Sequence, residues 1–285
     1  MCDKTKAAAL KVLHSVHPED FKSYDTQKIR EHFLMEGLVE PGKINMVYTH
    51  YDRMVIGVAN PTDNKISLPN YPNLKAGYFL ERREIGIINV GGDGEIIADG
   101  KTYPVNKLDC LYLGKEVKEV SFASSTAAQP AVFYILSAPA HSAYPTVLLS
   151  NADAIKVTLG SPATSNLRTI NKYIHQEGIK SCQLVVGLTI LHEGSVWNTM
   201  PAHVHDRRME TYFYFDLAEG QRVFHLMGEG HETRHVVMDN YNAIVSPPWS
   251  IHAGSGTASY SFIWGMAGEN LDYTDMEAIA ITDLK

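Results

Sequence analysis

The chain has 285 residues, enough for two ordinary domains or one larger all-β unit. Hydrophobic residues make up 45% and charged residues 20%, the ordinary balance of a globular protein. A net charge of −7 argues against nucleic acid as a partner, since such surfaces are usually basic, but not against an anionic small molecule held in a local basic pocket.

At the N-terminus, Lys11 interrupts the apolar run Ala7 to Leu10 too soon for a signal-peptide core. No later window is apolar for long enough to suggest a membrane span. The next feature is an amphipathic helix: Asp25 or Thr26 can cap it, Ile29, Phe33 and Leu34 form its apolar stripe, and Gly37 can end it. From there the text is mostly β, with short Val, Ile, Tyr and Phe-rich runs broken by Gly, Pro, Asn and Asp. Such runs are Ile85 to Val90, Val132 to Leu136, Leu184 to Leu188, Thr211 to Phe215, Arg234 to Met238 and Tyr260 to Trp264. Many strands with few intervening helices favour sandwiches or barrels over a doubly wound α/β sheet.

The chain also repeats weakly. Leu80-Glu81-Arg82-Arg83-Glu84 precedes a strand-like run and the turn Gly91 to Gly94; His205-Asp206-Arg207-Arg208-Met209-Glu210 precedes Thr211 to Phe215 and the turn Glu219-Gly220. This implies two related units: residues 1–140 as an N-terminal segment and a first barrel, 141–174 as a connection, and 175–285 as a second barrel and tail. The Gly91 to Gly94 cluster lacks G-x-G-x-x-G spacing and reads as a hairpin turn, not a phosphate loop. Cys2, Cys110 and Cys182 are odd in number and far apart, which suggests no disulfide framework and a reducing, cytoplasmic setting.

The most informative segment is Met200-Pro201-Ala202-His203-Val204-His205-Asp206-Arg207-Arg208-Met209-Glu210. In a strand, His203 and His205 share a face. The four residues after His205 allow a tight turn, and Glu210 then opens a strand whose face it shares with Tyr212 and Tyr214. The segment Ser246-Pro247-Pro248-Trp249-Ser250-Ile251-His252-Ala253-Gly254 suits an irregular rim that delivers His252 inward. Three imidazoles and a carboxylate suit Zn, Mn, Fe, Co or Ni, and leave room for water or substrate if coordination expands. His225, His235, His50 and His141 read as non-ligands, and Tyr260, Phe262 and Trp264 as interior packing.

His-x-His, a Glu after four intervening residues and a late His resemble the cupin metal pattern. Longer segments resemble one family, the 5-keto-4-deoxyuronate isomerases, also called 4-deoxy-L-threo-5-hexosulose-uronate ketol-isomerases. They are Met46 to Arg53, Tyr78 to Glu84, Thr164 to Tyr173, Trp197 to Pro201 and Phe262 to Met266. The resemblance spans nearly the whole chain. It implies an all-β fold of two cupin-type β-barrels with a short N-terminal helical segment, and one Zn2+ per chain on His203, His205, Glu210 and His252. It further implies a homo-oligomer, a hexamer in this family, and an aldose–ketose isomerisation in pectin and uronate breakdown.

Such a reaction needs a base. Glu210 and Lys172 are candidates, with Tyr212, Tyr214 and Asp206 as alternatives. The substrate carboxylate calls for a guanidinium, and Arg168, Arg207 and Arg208 are available. In the first half, Glu84 occupies a place like that of Glu210, while Gly77 and Phe79 stand where the paired histidines would be, so that barrel is expected to be metal-free. Two other readings stand beside the isomerase: an Fe(II) cupin dioxygenase using the same four ligands, and a sugar-acid-binding protein without turnover, whose affinity need not depend on metal.

Overall fold

The computed structural model describes residues 10–269 and 275–285. β-strand is the predominant regular structure of the described residues, and α-helix among them is confined to Pro18–Phe21 and Thr26–Phe33. The chain divides into two compact units, one built chiefly from Val39–Thr49 and Arg53–Ala152, the other from Leu13–Leu38, His50–Asp52 and Asp153–Lys285. No helix among the described residues is long and apolar enough to cross a membrane.

The second unit carries a seven-stranded sheet in the order Ile155–Leu159, Arg168–Ile174, Val185–Leu191, Ser261–Gly268, Arg208–Phe215, Ala243–Ser246 and Leu34–Met35. With it goes a four-stranded sheet in the order Trp197–Asn198, Ile251–Gly256, Val223–Glu229 and Glu232–Met238. The first unit repeats this plan. Its seven-stranded sheet runs Lys43–Thr49, Val55–Asn60, Phe133–Pro139, Arg83–Asn89 and Cys110–Leu113 through the middle. Its core is an apolar cluster drawn from both of its sheets, including Ile85, Ile87, Ile96, Phe122 and Phe133.

Register makes the repeat residue-specific. Gly57 pairs with Met46 on one side and Ile135 on the other, and Ile135 pairs with Ile87. Gly187 pairs with Lys172 and Trp264, and Trp264 pairs with Tyr212. Both glycines are required by close approach: a Cβ would lie 2.4 Å from the Asn45 carbonyl oxygen at Gly57, and 2.5 Å from that of Asn171 at Gly187. Superposing the two glycines sets Met46 against Lys172, Ile87 against Tyr212 and Ile85 against Glu210. The residue matching Glu210 is therefore Ile85, not Glu84. Strand alternation puts Glu84 on the face opposite Ile85 and Ile87, where its Oε2 accepts from the Tyr112 hydroxyl at 2.7 Å. Matching Glu84 to Glu210 by residue type is off by one: Glu84 directly follows Arg82-Arg83, whereas Met209 stands between Arg207-Arg208 and Glu210.

Asp25 caps the helix Thr26–Phe33 by accepting from Lys28 N–H at 2.9 Å. The helix stops at Phe33 rather than running on to Gly37: Leu34 and Met35 turn extended and pair with Ile244 and Ala243. Edge pairing outweighs the helical stripe that Leu34 would have continued. Phe21 and Phe33 pack on Trp249, with ring centroids 5.3 and 6.4 Å away, which ties both helices to the second unit.

Candidate metal centre and its cavity

His203 and His205 lie on the short strand His203–His205, and Glu210 lies on Arg208–Phe215 after a two-residue turn. His252 arrives on Ile251–Gly256 from the four-stranded sheet, after a turn in which Ser250 N–H donates to the Pro247 carbonyl at 2.9 Å. One donor atom from each of these four residues lies within 4.8 Å of the other three. His252 Nε2 stands 2.7 Å from Glu210 Oε2 and 3.0 Å from His203 Nε2, and His205 Nε2 stands 3.2 Å from the same Glu210 oxygen.

The donor set fits a divalent ion. Ligand atoms at about 2.0–2.2 Å from one ion lie roughly 3 Å apart when adjacent, the spacing found here. Two histidine nitrogens aimed at each other, and a carboxylate oxygen shared by two imidazoles, are an awkward arrangement for hydrogen bonds alone and a natural one around a cation. Burial, with the neighbouring His252, pushes His203 down to about 3, so its imidazole is neutral and available as a ligand. Burial by itself would raise the Glu210 carboxyl, but His252 and His205 hold it well below the usual carboxylate range.

The four residues sit in the second unit beside a cavity of about 360 Å³, and His203, His205 and Glu210 are in its wall. Arg168 and Lys172, both picked out in the sequence, line the same cavity, as does Tyr212. Arg207 does not: it is exposed on the turn before Glu210, as is Asp206. Arg208 is buried and donates from Nη2 to Asp275 Oδ1. Tyr214 is also buried, its hydroxyl 2.8 Å from His225 Nδ1.

The sequence reading passed over several wall residues. Thr199 is the clearest, its hydroxyl 2.8 Å from that of Tyr212. Phe262 and Trp264, read as interior packing, form part of the wall. Burial, then the nearby Glu210 charge, pushes the Tyr212 phenol well above its usual range, so it stays protonated as a donor. The cavity thus combines two cations, a neutral phenol and hydroxyl, an aromatic floor and a cluster of metal-ligand type. That combination suits a small, anionic, oxygen-rich molecule.

The chain is 56% identical over 272 residues to a 4-deoxy-L-threo-5-hexosulose-uronate ketol-isomerase of Halalkalibacterium halodurans, covering 95% of this chain and 99% of the relative. A protein of the same description from Formosa agariphila is 53% identical over 268 residues, 94% of this chain and 96% of the relative. Among solved structures, an IolB-like protein from Salmonella typhimurium shares the fold with a TM-score of 0.70 at 16% identity, covering 87% of this chain and 96% of its own. The oxalate decarboxylase of Lactobacillus farciminis has a TM-score of 0.57 at 9% identity, covering 85% of each chain. The model of the KduI/IolB family matches residues 35–281, through both units and all four candidate ligands, and the chain belongs to that family.

Proposed function

We propose that this protein is an isomerase that interconverts 4-deoxy-L-threo-5-hexosulose uronate and 3-deoxy-D-glycero-2,5-hexodiulosonate in uronate degradation. The observation that carries the reading is the meeting, in one cavity wall, of the His203, His205, Glu210 cluster with the cations Arg168 and Lys172. More than half the residues are identical to those of named ketol-isomerases over nearly the full length.

The reaction moves a proton from C2 of the substrate to C1 and a second from the C2 hydroxyl to the C1 oxygen, through an enediol, with no net change in electrons. His203, His205, Glu210 and His252 would hold one ion, Zn2+ in this proposal. Such an ion, when bound, polarises the carbonyl and stabilises negative charge developing on oxygen. Arg168 presents a planar fork that matches a carboxylate, and Lys172 adds a second cation in the same wall. Tyr212 and Thr199 offer hydroxyl donors to the developing enediolate oxygens. Glu210 and Lys172 are the groups in the wall suited to carry the proton between carbons.

On the same reading, each unit is a cupin-type barrel and only the second binds metal. The register supports this: Lys172, Glu210 and Tyr212 are replaced in the first unit by Met46, Ile85 and Ile87, all part of its apolar core. The protein is further taken to be a homo-oligomer. The strand Ile155–Leu159 lies at a sheet edge with Ile155 43% and Leu159 44% exposed, an apolar border suited to a second copy.

The test is direct conversion. Purified protein is incubated with the aldehyde substrate and no redox cofactor, and the products are followed by NMR in deuterated water. Appearance of the diketo acid, with solvent deuterium on the former aldehyde carbon where the proton exchanges, supports the proposal. A metal-loaded protein that binds the substrate and never converts it would end it.

A further inference from the structure

The imidazole of His205 has contacts on both sides. Its Nε2 faces Glu210 at 3.2 Å, so Nδ1 points away from the cluster. There it meets Oδ1 of Asp275 at 3.4 Å, with the side chains 2% and 5% exposed. Asp275 accepts on that same oxygen from Nη2 of Arg208, a side chain with no exposed surface. Arg208 opens the strand that carries Glu210. The carboxylate is therefore wedged between a candidate ligand and the start of the strand bearing another.

The chain after Asp275 is fastened to the same place. Met276–Ala278 pairs antiparallel with the ligand strand, Met276 opposite His205 and Ala278 opposite His203. Ile279 N–H donates to the Ala202 carbonyl at 2.9 Å. Ile279 and Leu284 pack on the buried cluster of Ala202, Ile251 and Ala253, next to both His203 and His252 in sequence. At the far end, Lys285 N–H donates to the Gly230 carbonyl at 3.0 Å, and Thr233 N–H donates to the Lys285 carbonyl at 2.8 Å.

We propose that Asp275 is a positioning residue for the metal centre, delivered by the C-terminal strap. A neutral imidazole carries its single proton on one nitrogen or the other. A carboxylate beside Nδ1 favours the tautomer with the proton there, which leaves the Nε2 lone pair directed into the cluster and fixes the ring plane. Arg208 keeps the carboxylate from swinging away. The inference rests on the metal-binding reading of the four residues.

The test is metal affinity, measured by competition with a chromophoric chelator for the full-length wild type, Asp275→Asn and Asp275→Ala. Wild type should bind one ion per chain. Asp275→Ala should bind about 10- to 100-fold more weakly, the range for removing an outer-shell partner. Asp275→Asn, which keeps an oxygen for Nδ1 and for Arg208 but loses the charge, should fall between them. It also carries the test if the alanine variant does not fold. The Co2+-loaded visible spectrum should shift in the variants, a readout that loss of the Asp275–Arg208 pair alone would not move. Variants that bind as tightly as wild type, or an apo melting temperature that drops while affinity holds, would overturn the inference and leave Asp275 as a tail anchor. A wild type that binds no ion would instead overturn the metal reading itself.

Discussion

Glu210 Oε2 lies 2.7 Å from Nε2 of His252, although the two residues belong to different sheets of the second unit. The contact joins the seven-stranded sheet to the four-stranded one at the wall of the cavity. It requires a buried carboxylate and a buried imidazole to converge on a point that His203 and His205 also face. An ion at that point would satisfy all four, and removing one ligand should be felt by the rest.

His252→Ala should therefore lower metal affinity by more than about 100-fold, beyond the effect of losing an outer-shell partner. Metal analysis of the dialysed variant, beside wild type at one ion per chain, checks this. Full occupancy in the variant would show that the fourth ligand lies elsewhere.

Arg168 is proposed to hold the substrate carboxylate, and a hydrogen bond to a charged group contributes about 1.5–3 kcal/mol. Arg168→Met should raise KM roughly 10- to 100-fold with a smaller change in kcat, the signature of lost uniform binding. Arg207→Ala, an exposed position outside the cavity wall, should leave KM within about twofold. Steady-state kinetics on the three proteins decides between the arginines.

The first unit should respond as a packed core. Ile85 is fully buried in its apolar cluster, and Ile85→Ala should cost about 2–5 kcal/mol by removing apolar contact and leaving a cavity. Denaturant unfolding measures the loss. The metal content of the folded protein should stay at one ion per chain, because Ile85 has no part in the second unit's site.

His225 sets a pH dependence. It is fully buried against Tyr214, and burial pushes it down to about 3 from its ordinary 6.5. Between those values the unfolded chain takes up a proton that the folded chain refuses, so stability falls as pH is lowered through the window and is complete above it. The slope is at most about 1.4 kcal/mol per pH unit. His225→Asn should flatten the dependence of the urea midpoint on pH between 6.5 and 3. An unchanged slope would place the uptake on another group.

Much of the site was legible because metal chemistry writes itself locally. His203 and His205 alternate along one strand and Glu210 follows one tight turn later, so three of the four candidates are read from eight consecutive residues. His252 needed its Pro-rich, Gly-flanked context. Arg168 and Lys172 were singled out by charge and residue type, and only the pairing of Arg168–Ile174 with Val185–Leu191 places them in the wall. Asp275 carried no signal, because its role depends on a C-terminal strand folding back onto His203–His205. The register of the repeat was misjudged by residue type: Glu84 was set against Glu210, although the Arg82-Arg83 and Arg207-Arg208 pairs already align Ile85 with Glu210, as does sheet pairing through Gly57 and Gly187. In a β-structure a one-residue offset moves a side chain to the other face, so a faint repeat can suggest two related units and still misplace their residues.

On the proposed reading, the histidine–glutamate cluster binds the ion on which isomerisation depends. The most direct measurement is the turnover of 4-deoxy-L-threo-5-hexosulose uronate by one preparation in three states: as purified, stripped by a chelator that is then removed, and reloaded with one equivalent of Zn2+. Conversion is expected in the first, loss of at least about 100-fold in the second, equivalent to roughly 2.7 kcal/mol in the barrier, and recovery in the third. A stripped protein, shown metal-free and folded, that turns over at the original rate would contradict it.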